Sequence, residues 1–185
     1  KSPELLGRMR RAGFRWLALG IEAADSAVRD GQDKDFSDAQ IVKTVRAIQD
    51  AGIHVIGNFI MGLPGDTEDS MRRTLELALD LRCEWANVYP AMAFPGSQLY
   101  RDAVAKHLRL PETWAGYAPL GYDCVPLATT TLTSEEVLAF RDRAFRWYFT
   151  DARYLKMLGD TFGAEAVAQV QAMTAVPIKR KILGH

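Results

Sequence analysis

The stretch IHVIGNFIMGLPGDTE occupies residues 53–68 and contains the turn on which the fold depends. Its apolar first part, residues 53–61, has the length and composition of a buried strand. An amphipathic segment, residues 71–81, follows the part that contains glycine and proline. The order is therefore strand, tight loop and helix start, and α/β folds hold ligands in loops at the carboxyl ends of their strands.

The residue types in this loop suit a ligand-binding turn. Gly62 and Gly65 let the backbone approach a ligand closely, and Pro64 stiffens the turn between them. Thr67 is a suitable N-cap for the following helix. Ordinary turn chemistry accounts for the same residues without a ligand, so both interpretations stand at this point.

The same unit recurs along the first part of the chain. Apolar runs typical of parallel strands alternate with amphipathic stretches typical of helices, at starts about 30 to 40 residues apart. The predicted strands are residues 14–21, 53–61 and 85–92, and the predicted helices are residues 3–12, 37–51, 68–82 and 98–106. The pattern predicts an α/β fold: a partial parallel βα barrel, which is a TIM-like half-barrel of about three strands, with a helical C-terminal extension.

The rest of the chain has a different character. Residues 1–106 form the predicted barrel part, residues 107–132 an irregular aromatic loop, and residues 133–185 a helical extension with a basic tail. Thr133 with Glu136 predicts a capping box at the start of the extension. The arginines that follow have helical spacing and favour a solvated or salt-bridged face: Arg141, Arg143, Arg146 and Arg153.

Composition excludes several classes of function. Lys+Arg and Asp+Glu both count 23, so the chain lacks the basic character of a nucleic-acid binder. No apolar run approaches the roughly 20 residues that span a bilayer. The two cysteines, Cys83 and Cys124, fit neither a disulfide framework nor a metal spacing, and we expect thiols of a reducing, cytoplasmic compartment.

Three segments, taken in order, resemble a known family. They are LGIE at residues 19–22, NFIMGLPGDTE at residues 58–68 and AFPGSQLY at residues 93–100. Their order and spacing are similar to the second half of the radical S-adenosylmethionine (SAM) barrel. The closest likeness is to its cobalamin-associated branch, whose members often carry an FPGS-LY element and a helical extension. The resemblance covers residues 1–106 well and the remainder loosely.

The resemblance implies a mechanism and a set of cofactors. In that family a [4Fe–4S] cluster, held by three cysteines after the first strand, binds and cleaves SAM, and the resulting 5′-deoxyadenosyl radical abstracts hydrogen from the substrate. The C-x3-C-x2-C motif is absent here, so we expect the cluster, and cobalamin if it is used, only in a longer parent protein. This chain alone is then inactive, and the parent is an Fe–S oxidoreductase or a methyltransferase.

The resemblance also assigns cofactor-binding residues at the strand ends. Glu22 matches the family's strand-end acid, which contacts SAM, and Lys34 matches a basic position that can pair with the SAM carboxylate. Ile60 and Gly62 match the strand end that holds the adenine, with Pro64 in the same turn. The alternatives are a turn-capping acid at Glu22 and a solvated lysine at Lys34.

Four further residues are candidate substrate contacts. Asn58 lies within the second strand, where a satisfied core amide is the alternative. Tyr89, Met92 and Phe94 lie at the end of the third strand, where they would wall an adenine or a small-molecule substrate. Core packing is an equal alternative for Met92 and Phe94. His54 begins a strand, where a structural role is expected.

Two classes of function remain open. The first is the catalytic fragment just described, whose partner is a missing N-terminal barrel half and whose exposed strand edges favour self-association. The second is a non-catalytic α/β binding or assembly module, which predicts a stable, monodisperse chain. A third interpretation, an aldolase fragment with a phosphate site at residues 62–65, is weaker because no lysine is placed at a strand end and Gly-x-x-Gly is not a P-loop.

Overall fold

The computed structural model describes residues 3–26, residue 28 and residues 37–184. Helices and strands alternate in its first part, and helices follow one another in its last part. The strands are β1 (Trp16–Glu22), β2 (His54–Met61) and β3 (Trp85–Pro90). The α-helices are α1 (Pro3–Arg11), α2 (Asp38–Asp50), α3 (Glu68–Leu81), α4 (Gln98–Ala105), α5 (Ser134–Thr150), α6 (Ala152–Phe162) and α7 (Ala164–Ala175). Short 3₁₀ turns lie at Trp114–Tyr117 and Lys181–Leu183.

The three strands form one open parallel sheet in the order β1-β2-β3. Gly20 of β1 lies opposite Asn58 of β2, which in turn lies opposite Asn87 of β3. The carboxyl ends of the strands therefore meet at one edge of the sheet. The predicted α/β class, with three parallel strands and a helical C-terminal region, is confirmed.

Burial along β2 separates the two faces of the sheet. Val55, Gly57, Phe59 and Met61 are buried, whereas the alternate residues are only partly covered. Val55, Phe59 and Met61 join a hydrophobic core with residues of the surrounding helices. Because side chains alternate along a strand, the other face carries Asn58 and its neighbours in register and is the less covered one.

The C-terminal helices are tied to β3 through polar contacts to its backbone. Tyr148 donates from its hydroxyl to the carbonyl oxygen of Cys83 at 2.7 Å, and Tyr154 donates to that of Glu84 at 3.3 Å. Arg141 donates from Nε to the carbonyl oxygen of Val88 at 2.6 Å. These donors satisfy backbone acceptors at and before β3, and they hold α5 and α6 against the sheet.

The expectation of a solvated or salt-bridged arginine face requires correction at Arg141 in its solvated alternative. Arg141 does not lie on a solvated face, because only 4% of it is exposed. It is salt-bridged, as the alternative predicted, since its Nη1 lies 2.8 Å from a carboxylate oxygen of Asp142. The basic tail is fixed at Arg180, which is 1% exposed and donates to Asp142 from two nitrogens, at 2.8 Å each. Both side chains donate to acceptors that are remote in sequence. Helical spacing alone therefore could not predict that these two arginines are buried.

The signals that depend only on neighbouring residues are confirmed. Thr133 with Glu136 forms the predicted capping box, and Ser37 with Gln40 forms a second one. Between them, Thr67 caps α3. His54 lies at the start of β2, with its ring 4.8 Å from that of Trp16 and its Nδ1 3.6 Å from a carboxylate oxygen of Glu84. This position, at the edge opposite the strand ends, agrees with a structural role.

Candidate functional site

A cavity of about 440 Å³ lies at the carboxyl ends of β2 and β3. Four predicted site residues line it: Ile60, Tyr89, Met92 and Phe94. Its surface is mainly apolar, with Leu63 and Pro119 among the other lining residues. A partly open apolar space with aromatic walls suits a flat organic group such as a purine.

The residues that line this cavity differ in how much of their surface a ligand can contact. Phe94 is 49% exposed and stacks on Tyr117, with ring centroids 6.1 Å apart. Met92 is 8% exposed and packs with Cys124 and Leu138. Phe94 is therefore available to a ligand, whereas most of the surface of Met92 is already used in packing.

The loop after β2 is fixed by a buried carboxylate. Asp66 is fully buried and accepts hydrogen bonds at Oδ2 from the backbone N–H groups of Gly62 and Leu63, each at 2.9 Å. Its Oδ1 accepts from the hydroxyl of Ser70 at 2.5 Å. Burial raises the pKa of Asp66, although these hydrogen bonds favour the ionised form and oppose the shift. The carboxylate therefore joins the end of β2 to the start of α3.

Gly62 lies under the first turn of α5. Its φ is +85°, and a Cβ atom at this position would lie 2.3 Å from Cγ1 of Val137. The carbonyl oxygen of Pro64, in the same turn, accepts from the backbone N–H of Thr130 at 3.3 Å. Glycine is thus required here by the backbone and by a neighbouring helix, and the predicted contacts of Gly62 and Pro64 with a ligand stay predictions.

Glu22 ends β1 in an unusual backbone conformation. Its φ is +68°, in the left-handed region, and the register of the β1–β2 pairing shifts between Gly20 and Glu22. Such a conformation in a residue other than glycine is strained and recurs at functional sites. The carboxylate is carried at the edge where the strand ends meet, and its role towards a cofactor stays a prediction.

The segment after Glu22 is tied to α3. The backbone N–H of Ala24 donates to Oγ1 of Thr74 at 3.0 Å, and Arg73 pairs with Asp25 at 2.7 Å. Lys34, the other predicted charged contact, lies outside the described residues.

Asn58 belongs to a polar line across the less covered face of the sheet. Its Nδ2 donates to the carbonyl oxygen of Leu19 at 3.2 Å, and its Oδ1 accepts from Nδ2 of Asn87 at 2.9 Å. Trp85 donates from Nε1 to Oδ1 of Asn87 at 3.1 Å. The prediction singled out Asn58 but not Asn87, although a polar residue inside an apolar strand was a signal at both positions.

The cysteines do not fit an iron–sulfur cluster. Cys83 is fully buried, and burial raises its pKa to about 12. Cys124 is also fully buried, and burial raises its pKa to about 11. Cluster ligands are thiolates. Within the described ranges, no group of three or more His, Cys, Asp or Glu residues is placed to hold a metal ion.

No described helix combines the length and the apolar character that a membrane span requires.

Known proteins with related sequences share parts of this chain. An uncharacterized methyltransferase of Pyrococcus horikoshii is 26% identical over 147 residues, which cover 80% of this chain and 31% of that protein. The anaerobic magnesium-protoporphyrin IX monomethyl ester cyclase of Cereibacter sphaeroides is 28% identical over 102 residues, 55% of this chain and 17% of the cyclase. The hopanoid C-2 methylase of Rhodopseudomonas palustris is 37% identical over 71 residues, 38% of this chain and 14% of the methylase.

Among solved structures, coproporphyrinogen III oxidase (HemN) from Escherichia coli, described as a radical SAM enzyme, aligns with a TM-score of 0.48 and 16% identity. The alignment covers 64% of this chain and 35% of that one. The chain thus spans about a third or less of the curated relatives described above. The sequence profile of the Radical SAM superfamily matches residues 1–78, which run from α1 into α3. The similarity to this superfamily therefore lies in residues 1–78 of the 185-residue chain.

Proposed function

We propose that this chain is part of a radical SAM enzyme and that its strand ends hold SAM and the substrate. The observation that carries the proposal is the cavity of about 440 Å³ at the ends of β2 and β3. It begins at Ile60, inside the region that matches the superfamily, and continues to Phe94 beyond it. Sequence similarity and cavity geometry thus point to the same edge of the sheet.

The residues of this edge fit SAM but not its cluster. Tyr89 and Phe94 offer aromatic surface to an adenine, and Ile60 closes the cavity from β2. Glu22 offers carboxylate oxygens, which accept hydrogen bonds from ribose hydroxyls. Because Cys83 and Cys124 are fully buried, the cluster that the superfamily implies requires cysteines from elsewhere in the complete protein.

The chain's own share of the chemistry is to bind, orient and exclude water. In the superfamily, SAM supplies a hydrogen-abstracting radical when a reduced [4Fe–4S] cluster cleaves it. Apolar walls such as Ile60, Met92 and Phe94 would keep water from the reacting carbon atoms. Asp66 would act at a distance, by fixing the loop that carries Gly62.

The reaction type is a finer proposal. Two of the relatives are named for methyl transfer and one for ring closure. We propose a methyl transfer or a related radical reaction on an organic small molecule. The use of cobalamin, suggested by the FPGS-LY element, stays a prediction.

The test uses the complete gene product, reconstituted with iron and sulfide and reduced with dithionite. We expect conversion of SAM to methionine and 5′-deoxyadenosine, measured by liquid chromatography and mass spectrometry. A protein that is loaded with iron and releases no 5′-deoxyadenosine would contradict the proposed function.

Variants test the assignment of Glu22 separately. Glu22→Gln should raise the KM for SAM by roughly 10-fold, because a hydrogen bond to a charged group contributes about 1.5–3 kcal/mol. Its iron content should not change. Glu76→Gln makes the same change at an exposed position of α3 and should leave the KM within about twofold. An unchanged KM in Glu22→Gln would remove Glu22 from the site and leave the function standing.

A further inference from the structure

Two arginines and one aspartate form a buried cluster where α5 meets the C-terminal tail. Asp142 accepts from Nη1 of Arg141 at 2.8 Å and from Nε and Nη2 of Arg180, each at 2.8 Å. Nη1 of Arg180 also donates to the carbonyl oxygens of Gly121 at 2.7 Å and Pro119 at 3.4 Å. The cluster therefore joins α5, the tail and the loop at residues 119–121.

The cluster is electrostatically unbalanced. Two guanidinium groups share one carboxylate, which leaves a net charge of +1 in a buried place. Burial lowers the pKa of Arg141, and the bond to Asp142 only partly offsets this. Burial also acts to lower the pKa of Arg180, but its bonds to Asp142 outweigh burial and raise it. Arg180 makes two hydrogen bonds to Asp142 and Arg141 makes one, so Arg141 is the less compensated of the two cations. A buried charge without a full counter-charge is costly.

Arg141 keeps hydrogen-bonding capacity. Its Nε donates to Val88 and its Nη1 to Asp142, and the Phe145 ring centroid lies 5.2 Å from its Cζ. Among the residues that the structure describes, no acceptor is recorded for Nη2 of Arg141. Only 4% of this residue is exposed, so bulk water supplies little compensation.

Arg141 lines a cavity of about 460 Å³ beside β3. The other walls are mostly apolar, and they include Trp85, Phe145, Met173, Val176 and Ile178. Arg141 and Arg180 are the charged residues of this lining, which contains no acidic side chain within the described ranges. An apolar space with a buried cation at its wall is complementary to an apolar molecule that carries one anionic group.

We infer that this cavity binds a small molecule with an apolar body and a single carboxylate, which faces Arg141. A monoanion neutralises the net charge of the Arg141–Asp142–Arg180 cluster, whereas a phosphate monoester would reverse it at neutral pH. The apolar body lies between Trp85 and Phe145 of the cavity wall. The inference does not depend on the proposed function, since it uses neither SAM nor the strand-end cavity.

Isothermal titration calorimetry of the 185-residue chain with octanoate tests the inference. Octanoate carries one carboxylate on an apolar chain, and octanamide has the same length without the charge. We expect octanoate to bind with a Kd of roughly 0.1–1 mM and octanamide at least about 10-fold more weakly. Equal binding of the two, or no octanoate binding, would overturn the inference. If octyl phosphate bound more tightly than octanoate, the carboxylate assignment would be wrong and the anionic group of the ligand would be a phosphate.

Variants locate the site. Arg141→Gln should weaken octanoate binding by at least about 10-fold. Arg143→Gln loses the same charge on the same helix at an exposed position and should bind like the wild type. Because Arg141 also supports β3, Val176→Trp provides a second variant that fills the cavity and leaves the arginines in place. A folded Val176→Trp that binds octanoate as the wild type does would place the binding elsewhere and contradict the assignment.

Discussion

Glycine at position 62 meets two separate structural demands. The first is its φ of +85°, which costs an L-residue about 1–2 kcal/mol. The second is the approach of Val137, whose Cγ1 would lie 2.3 Å from an added Cβ. The sequence motif identified the residue, but the helix that packs on it comes from a part of the chain far from the motif. A ligand is therefore not needed to explain why this position is glycine.

Gly62→Ala should lower the free energy of unfolding by about 2–5 kcal/mol, because overpacking adds about 1–3 kcal/mol to the backbone strain of about 1–2 kcal/mol. Urea unfolding measures it. Gly65→Ala is the matched control in the same loop, since among the described residues its added Cβ would meet only Cγ2 of Val28, at 3.7 Å. We expect the control to change stability by less than about 1 kcal/mol. Equal effects of the two substitutions would contradict the assigned packing of α5 on Gly62.

Asp66 shows what sequence reasoning missed in the loop. The motif directed attention to its glycines and proline, yet the fully buried group is the carboxylate that organises them. An aspartate followed four residues later by a serine near a helix start was the available signal. The importance of this aspartate depends on its burial, and the local sequence does not show that it is buried.

The raised pKa of Asp66 gives stability a defined pH dependence. The folded state retains the proton of Asp66 to a higher pH than the unfolded state does. Between the ordinary pKa of about 4 and the folded pKa, the folded state therefore binds more protons, and stability falls as pH rises. We expect the stability advantage of the wild type over Asp66→Asn to shrink as pH rises from about 4 to 7, measured by urea unfolding at each pH.

Asp69→Asn is the control for this experiment, because it makes the same chemical change three residues further on, at an exposed position of α3. Its effect should stay within about 1 kcal/mol throughout. A wild-type advantage that grows with pH would mean that Asp66 is stabilised as a carboxylate, contrary to the expected direction.

The candidate site was predictable in its position and less so in its contacts. Ile60, Tyr89, Met92 and Phe94 were placed at strand ends by the alternation of strands and helices, and they do line one cavity. Parallel strands bring their carboxyl ends to one edge, so position follows from topology. Much of the surface of Met92 is covered because it packs against Cys124, in the later loop. The position of Met92 at a strand end does not reveal this contact.

At the scale of elements, helix starts were the most predictable features. Thr133 and Glu136 satisfy each other's backbone groups at the start of α5, with donor–acceptor distances of 3.2 and 2.8 Å. This exchange involves residues three apart and needs no tertiary structure. The packing of α5 against β3 was not predictable in the same way, because Arg141 and Val88 are 53 residues apart.

Thr133→Ala should destabilise the chain by about 1 kcal/mol through loss of the cap of α5. Thr113→Ala is the control, since Thr113 precedes the 3₁₀ turn Trp114–Tyr117 and makes no side-chain cap hydrogen bond. The control should change the free energy of unfolding by less than about 0.5 kcal/mol in urea titrations. If the two substitutions had the same effect, the capping box would not contribute to the stability of α5.

At the scale of the whole molecule, the sheet ends in an open edge. Within the described residues β1 pairs in the sheet only with β2, so the other side of β1 is an edge of the sheet. Phe14 and Trp16 are 48% and 41% exposed beside this edge. Exposed strand edges with apolar neighbours favour pairing with another strand. In the complete protein we expect a further strand of the barrel to cover this edge.

The 185-residue chain should therefore associate with itself as its concentration rises, as measured by sedimentation velocity. Ala18→Lys should weaken this association by at least about 10-fold in Kd, because a charge on an exposed position of β1 opposes pairing. Ala168→Lys adds the same charge on an exposed position of α7 and should leave association unchanged. If the wild type stayed monomeric at all concentrations, the edge would need no partner. The chain would then behave as an independent α/β module, and the binding or assembly function would replace the catalytic fragment as the better explanation.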